Sequence, residues 1–448
     1  MKVVVIGAGN VGFTVADTLS AVHDVLVVEL DEKRAETVKN LLNVSVLKED
    51  GTNPKVLKEI LEKYDVATLI STLGGDDANL FVCMIAKSIR PSLRTVARVR
   101  NPDFMIKTES GMSIGADQIV SPEQITAKKL AILSLLENAV DYEQMDSLGL
   151  AMATFMVTKE HTDIIGKVVI DLQIPDECTV MTIYRNNSVI IFNETTELHA
   201  GDSICVLGSP LGLEKFNKMM GYPREAKEVV ILGGGVIGTQ TAKILEAHKR
   251  YVKIVEMSEK RCRRLSKEFD NVLVVNANAV DPYTLRSENV GRADVVISAT
   301  DSDEKNLLAC LMTMEMGVKK VISRYTMREY EDVFQFTGVN ISVGYHLVVA
   351  NEITKTLITD ERSILRMKHE GEMFFSVAVK EGTKVAGSRV GDTRLPEGAR
   401  IVSIIRGNEK IYPRMDTMLK ENDKVLLFTY KTNLSKLGSV FETDISKT

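Results

Sequence analysis

The chain has 448 residues, which at roughly 150 residues per domain is about three domains' worth and enough to bury several cores. Its 56 Lys and Arg against 61 Asp and Glu leave a net charge of -5, so no global positive field exists to neutralise a phosphate backbone, and nucleic acid is excluded as the main partner. No apolar run reaches the roughly 18 residues that a membrane-spanning helix needs, so no membrane insertion of its own is expected.

The N-terminal apolar run Val3–Ile6 is stopped by Gly7-Ala8-Gly9-Asn10 before a signal-peptide core forms, and a cytoplasmic location is the expectation. Further apolar β-branched runs follow at Val25–Val28, Val66–Ser71, Thr95–Val99 and Gln118–Val120. They alternate with amphipathic stretches of helical length, the pattern of βαβ units around a parallel sheet. The unbroken Val4-Val5-Ile6 predicts a strand buried on both faces. A helix is predicted over Glu123–Leu136, with Ile125, Leu130, Ile132, Leu133, Leu135 and Leu136 spread around it; either a neighbouring subunit or another part of the same chain must cover it.

At Leu150 the texture changes to short strands: Val180–Arg185, a turn at Asn186-Asn187, Val189–Phe192, a turn at Ala200-Gly201-Asp202, and Ser203–Leu207. Gly221-Tyr222-Pro223 reads as a linker. Beyond it the chain is written again. Gly7-Ala8-Gly9-Asn10-Val11-Gly12 returns 226 residues later as Gly233-Gly234-Gly235-Val236-Ile237-Gly238. Val28 through Arg34 returns as Val255 through Arg261, Ser71 through Leu80 as Ser298 through Leu307, and Arg98 as Arg324. The second small lobe follows with Ile401–Arg406, Gly407-Asn408, Glu421-Asn422-Asp423 and Lys424–Phe428. The predicted fold is α/β: two Rossmann-like doubly wound parallel-sheet domains, 1–140 and 226–368, each followed by a small β-rich α+β lobe, 141–225 and 369–448.

A lone G-x-G-x-x-G is weak evidence, but both copies follow a strand, open a helix and precede an acid by about 20 residues. Gly7 turns the chain out of the strand, Gly9 lets backbone amides approach a pyrophosphate, and Gly12 allows close packing of the helix. Ala8, Asn10 and Val11 complete the first loop; Gly233, Gly234, Gly235, Val236, Ile237 and Gly238 form the second. Glu29 and Glu256 are the candidate ribose acceptors, and an acid there repels a 2′-phosphate, favouring NAD or NADH, or ATP or ADP, over NADP. Asp50-Gly51-Thr52 follows the third strand and Thr72-Leu73-Gly74 the fourth, at strand ends where ligands of open sheets bind. Asp50 and Thr52 are candidates for the adenosine side and Arg98 for phosphate charge. Asp50 and Asp76 read equally well as helix N-caps, and Arg98 as an interface salt-bridge residue.

The second copy departs from the first. Asn276-Ala277-Asn278 is read opposite Asp50-Gly51-Thr52, and Thr300-Asp301-Ser302 opposite Leu73-Gly74-Gly75, so a different nucleotide or unequal affinity is expected. The basic run Lys260, Arg261, Arg263, Arg264 is read as a solvated helix face, with extra phosphate contacts as the alternative. No catalytic residue or metal ligand is assigned: His161, His199 and His369 occupy no matched positions, and Cys83, Cys178, Cys205, Cys262 and Cys310 are scattered, reduced core thiols.

These features resemble the TrkA family of Trk-type potassium-uptake regulatory subunits, built from tandem RCK (KTN) modules. The resemblance rests on Gly7–Gly12, Glu29, Asp50-Gly51-Thr52, Asp76-Asp77 with Asn79-Leu80, Arg98 and Ser121-Pro122-Glu123. In the small lobes it rests on Gly166 through Pro175 with Gly201-Asp202, and on Gly387 through Pro396 with Asn422-Asp423. It implies a non-enzymatic, nucleotide-switched cytoplasmic ring, a homo-oligomer and in particular a tetramer, beneath a separate potassium-conducting membrane subunit. The competing reading is an NAD-dependent oxidoreductase with its active site between repeats or subunits.

Overall fold

Val3, Val4, Val5 and Ile6 are completely buried, as an unbroken β-branched run requires of a strand covered on both faces. A computed structural model describes residues 2–20, 23–101, 104, 115–145, 148–186, 188–192, 195–221, 226–356, 364–366, 372–407 and 409–442. Tyr222 and Pro223 of the expected linker, Asn187 and Asn408 of the two turns, and His369 lie outside the described residues.

The first repeat runs β1 (Lys2–Ile6), α1 (Asn10–Ser20), β2 (Asp24–Val28), α2 (Glu32–Leu41), β3 (Ser45–Leu47), α3 (Pro54–Lys63), β4 (Val66–Ser71), α4 (Asp76–Ile89), β5 (Arg94–Arg98), β6 (Gln118–Val120) and α5 (Pro122–Leu135). The six strands are parallel in the order β3-β2-β1-β4-β5-β6, with the switch in winding direction between β1 and β4. Helix starts are specified locally. Asn53 caps α3 through Lys55 N ahead of Pro54, and Asp31 caps α2 through Arg34 N.

Next come β7 (Ala139–Met145), β8 (Leu150–Met156), β9 (Cys178–Arg185), β10 (Ser188–Ile190), β11 (Ser203–Gly208) and α6 (Pro210–Met219). They form an antiparallel sheet ordered β10-β9-β11-β8-β7. The sequence put the change of texture at Leu150, but the sheet already begins at Ala139. Asp141, Glu143 and Gln144 interrupt the apolar pattern of β7 and mask it as a strand.

The second repeat follows with β12 (Glu228–Leu232), α7 (Val236–Ala247), β13 (Tyr251–Glu256), α8 (Glu259–Glu268), β14 (Val272–Asn276), α9 (Pro282–Ser287), β15 (Val295–Ser298), α10 (Asp303–Glu315), β16 (Lys320–Tyr325), α11 (Tyr330–Phe336), β17 (Ile341–Gly344) and α12 (Tyr345–Thr356). Its parallel order, β14-β13-β12-β15-β16-β17, repeats the first. The last sheet consists of β18 (Ile364–Arg366), β19 (Glu372–Ala378), β20 (Arg400–Arg406), β21 (Glu409–Ile411) and β22 (Lys424–Tyr430), followed by α13 (Leu434–Val440).

The chain divides into two compact units. One holds Met1–Ala131 with Lys227–Leu357, and so both parallel sheets. Within it α1 packs along α12, and Thr241 on α7 reaches the Ala127 carbonyl of α5 at 3.5 Å. The first helix of each repeat thus meets the last helix of the other, and part of the wide apolar surface of α5 is covered within the chain. The other unit holds Ile132–Ala226 with Ile358–Lys447. There Met152, Met181 and Leu207 share a core with Phe374, Val402 and Phe428. Each small lobe closes one turn with the same forked ion pair, Arg185 on Asp202 and Arg406 on Asp423, at 2.7–2.8 Å.

Candidate functional site

Both glycine loops leave the sheet where it switches direction. Gly7 has φ 91° and Gly233 φ 112°, a region costly for any residue with a Cβ. A Cβ at Gly12 would lie 1.9 Å from the Gly7 carbonyl oxygen, and one at Gly238 would lie 2.0 Å from that of Gly233, so the third glycine lets the helix seat on its own loop. By contrast, a Cβ at Gly9 or Gly235 meets nothing within 4 Å: the second glycine faces open space. Gly235 caps α7 with no side chain, which leaves the amides of its first turn for an anion. Asn10 reaches Thr326 O at 3.5 Å, while Ala8, Val11 and Ile237 are buried behind the loops.

The acids sit under those loops. Glu29 is buried at the end of β2 and accepts from Ala8 N at 2.6 Å and Asp31 N at 2.8 Å, one bond on each carboxylate oxygen. Glu256 repeats this with Gly234 N at 2.9 Å and Ser258 N at 2.7 Å. It also receives Arg261 Nη1 at 3.2 Å. Each carboxylate therefore holds the loop in place before any ligand arrives.

At the neighbouring strand ends the roles differ from residue to residue. Thr72 is buried and donates its hydroxyl to the carbonyls of Ile6 and Gly7, bracing the loop from behind. Leu73 N donates to Asn79 Oδ1, and the Gly74 carbonyl accepts from the Arg100 guanidinium. Asp50 accepts from both the amide and the hydroxyl of Thr52, at 2.9 and 2.7 Å, and these bonds hold its carboxyl below the usual range. It is not the helix cap, which is Asn53. Nor does Asp76 cap α4: it accepts from Arg100 N and Asn101 N, tying the segment after β5 to the helix. Asp303 does the same for Thr326 N and Met327 N.

The structure also corrects one equivalence. Val28 pairs with Leu47 and Val255 with Val275, and the turn bond Asn53 N to Asp50 O recurs as Asp281 N to Asn278 O. Asp50-Gly51-Thr52 therefore matches Asn278-Ala279-Val280 rather than Asn276-Ala277-Asn278. Asn276 instead donates to the carbonyls of Glu256 and Met257.

A cleft of about 390 Å³ opens over the second loop. It is lined by Gly233, Gly235, Glu256, Arg261, Asn278 and Lys305 of the second repeat, and by Arg98, Arg100 and Glu123 of the first. Arg98, read from the sequence with the first loop, thus lies at the second. Its Nη2 donates to Tyr345 Oη at 3.2 Å, and Tyr345 donates onward to Glu123 Oε1 at 2.9 Å. Burial raises the Glu123 carboxyl above its ordinary value and pushes Tyr345 up to about 12. Arg98 Nε and Glu123 Oε2 are buried with no partner, which leaves one donor and one acceptor to be met at this cleft. Arg324, the counterpart of Arg98, donates to Thr300 O and Thr326 Oγ1. Five cations (Arg98, Arg100, Arg261, Lys305, Arg324) face three acids (Glu123, Glu256, Asp301), a balance suited to phosphate. Arg100, Lys305 and Tyr345 were not singled out from the sequence.

Two parallel sheets of Rossmann order in tandem, each with a glycine loop, a buried acid and a following antiparallel lobe, define a protein of the tandem RCK class. The TrkA-N domain model matches residues 3–122 and 229–344, and the TrkA-C domain model matches 152–221 and 374–442. The chain is 32% identical over 443 residues to a Trk system potassium uptake protein TrkA homolog of Archaeoglobus fulgidus, covering 98% of this chain and all of that one. It is 30% identical over 452 residues to TrkA homolog 1 of Methanosarcina mazei, covering 99% and 100%. The chain belongs to the TrkA family. Its fold is similar to that of the GsuK RCK domain, with a TM-score of 0.60 at 19% identity over 98% of this chain and 95% of that one. It is likewise similar to the GsuK channel bound to NAD, with a TM-score of 0.62 at 20% identity over 98% and 79%.

Proposed function

We propose that this chain is a non-enzymatic, nucleotide-binding regulatory subunit of a Trk-type potassium uptake system, controlling a separate membrane subunit that carries the ion. The observation that carries this reading is the cleft over the second glycine loop, walled on one side by Arg98, Arg100 and Glu123 of the first repeat. A ligand bridging that loop and those side chains binds one arrangement of the two repeats better than another, which is what a switch requires. Four-part RCK organisation, with nucleotide domains 1–140 and 226–368 and lobes 141–225 and 369–448, accompanies the proposal. So does NAD or NADH at the first loop, held by Gly7, Gly9, Gly12 and Glu29. The names of these relatives support potassium uptake as the system served.

Assembly of several copies, four in the leading arrangement, completes the reading. Phe81 and Met84 on α4 are about half exposed, and so are Leu308 and, to a lesser degree, Leu311, which stand 227 residues later on α10. A chain carrying two equivalent apolar faces pairs with further copies through both, and such contacts close into rings. The test is potassium flux through the reconstituted membrane partner with this chain, titrated with NAD, NADH, ADP and ATP. Nucleotide-dependent flux supports the reading. Sustained oxidation of NADH by the chain alone would replace it with the oxidoreductase reading.

A further inference from the structure

The two ribose corners are built from equivalent positions but differ in what they have left to offer. A carboxylate has about four lone-pair sites. Glu29 spends one on Ala8 N and one on Asp31 N, leaving one on each oxygen, which matches the two hydroxyls of an unmodified ribose. Among the described residues no cation pairs with Glu29. At Glu256, Oε2 takes both Gly234 N and Arg261 Nη1, and Oε1 takes Ser258 N, so only one site remains. Both corners carry an arginine here, but among the described residues only Arg261 is bonded to its acid, whereas Arg34 makes no bond to Glu29; Arg261 is half exposed to the cleft and keeps unspent donors.

The surroundings change in the same sense. Asp31, a second acid beside the first corner, is replaced by Ser258 at the same helix cap. Glu36 and Thr37 on α2 are replaced by Arg263 and Arg264 on α8. Across residues 31–40 the formal charges sum to zero, and across the equivalent 258–267 they sum to +4. An anion is therefore repelled or ignored at one corner and drawn to the other.

We infer that the second cleft takes a nucleotide whose adenosine ribose carries a 2′-phosphate, while the first takes one with a free ribose diol. This rests on the nucleotide-binding reading and assigns different ligands to its two sites. The phosphate accepts from Arg261 while Glu256, neutralised by that same guanidinium and tied to Gly234 N and Ser258 N, keeps the loop closed. Sequence reasoning from Glu256 alone gives the opposite preference, because it counts the acid without its partner.

The full chain is titrated calorimetrically with NADP⁺ and with NAD⁺ as probes, alongside Arg261→Ala and Ser258→Asp. Aspartate preserves the helix cap, as Asp31 shows, and reproduces the charge of the first corner. The expected result is NADP⁺ binding by the unmodified chain that weakens by about tenfold or more in both variants, the loss of one charge-assisted hydrogen bond, with NAD⁺ binding retained. NAD⁺ binding without NADP⁺ binding, or NADP⁺ affinity unchanged in both variants, overturns this inference and leaves the proposed function standing. Binding of neither probe, nor of ADP or ATP, overturns both.

Discussion

The hydroxyl of Tyr345, on the first residue of α12, donates to Glu123 Oε1, 2.9 Å away on the first turn of α5, and accepts from Arg98 Nη2 at 3.2 Å. One phenol thus links the end of β5 and the last helix of one repeat to the last helix of the other, at the edge of the second cleft. In Tyr345→Phe the ring remains but Glu123 loses its donor while its other oxygen is already unpartnered. Leaving that buried carboxylate unsatisfied is expected to cost about 1–3 kcal/mol. The urea midpoint should fall at unchanged slope, and ligands of the second cleft should bind more weakly. An unchanged midpoint would show that the bridge contributes nothing.

This bridge also marks where sequence reading ended. Equivalence between repeats was visible because strands, glycine loops and acids recur at a nearly fixed offset, and hydrophobic runs such as Val3–Ile6 and Val66–Ser71 give strands directly. Adjacency was not visible. An offset says that Arg98 corresponds to Arg324 and is silent on Arg98 entering the other repeat's cleft, which follows from α1 packing on α12. Tyr345 stands where α5 has Pro122, so comparing the repeats raises no signal there. The Asp50 mismatch came from an offset that grows from 226 at the glycine loop to 227 at β2 and 228 at β3, one residue at a time in the connections between those strands, where no apolar pattern anchors the register.

The glycine loop separates binding from folding at positions three residues apart. Gly9→Val adds a side chain into space with no neighbour within 4 Å, so the fold should be nearly unchanged, while the approach to the loop amides is filled. Gly12→Ala places a methyl 1.9 Å from a backbone oxygen and should destabilise by about 3 kcal/mol. Thermal unfolding paired with NAD titration checks this: Gly9→Val loses binding but keeps its Tm, and Gly12→Ala lowers Tm. Equal effects on both readouts in the two variants would count against these separate roles.

Assembly is open to the same kind of separation. Phe81 and Leu308 are exposed on helix surfaces, so Phe81→Asp with Leu308→Asp removes apolar area from both faces without touching a core. Light scattering should then shift from a multiple of 49.6 kDa toward that mass, with helix content retained. An oligomer that persists at low micromolar concentration would place the contact elsewhere on the chain.

His346, beside Tyr345, is fully buried, packs edge-on to Tyr325 at 5.8 Å between ring centroids, and has an unpartnered Nδ1. Burial, reinforced by the nearby Arg328 charge, pushes its imidazole down to about 4 from 6.5, although Glu329 and Asp303 pull the other way. Below pH 6.5 the unfolded chain takes up a proton that the folded chain refuses until about pH 4, so stability falls as pH drops through that window. The full shift corresponds to about 3 kcal/mol. His23, also pushed down to about 4 by burial, adds a loss in the same direction. Because carboxylates titrate there too, the readout is a difference: the denaturation free energy of the unmodified chain minus that of His346→Gln should become less favourable to the unmodified chain between pH 6.5 and 4.5. Parallel pH curves for the two would mean that His346 takes up its proton over the same pH range folded and unfolded, so that its burial imposes no shift.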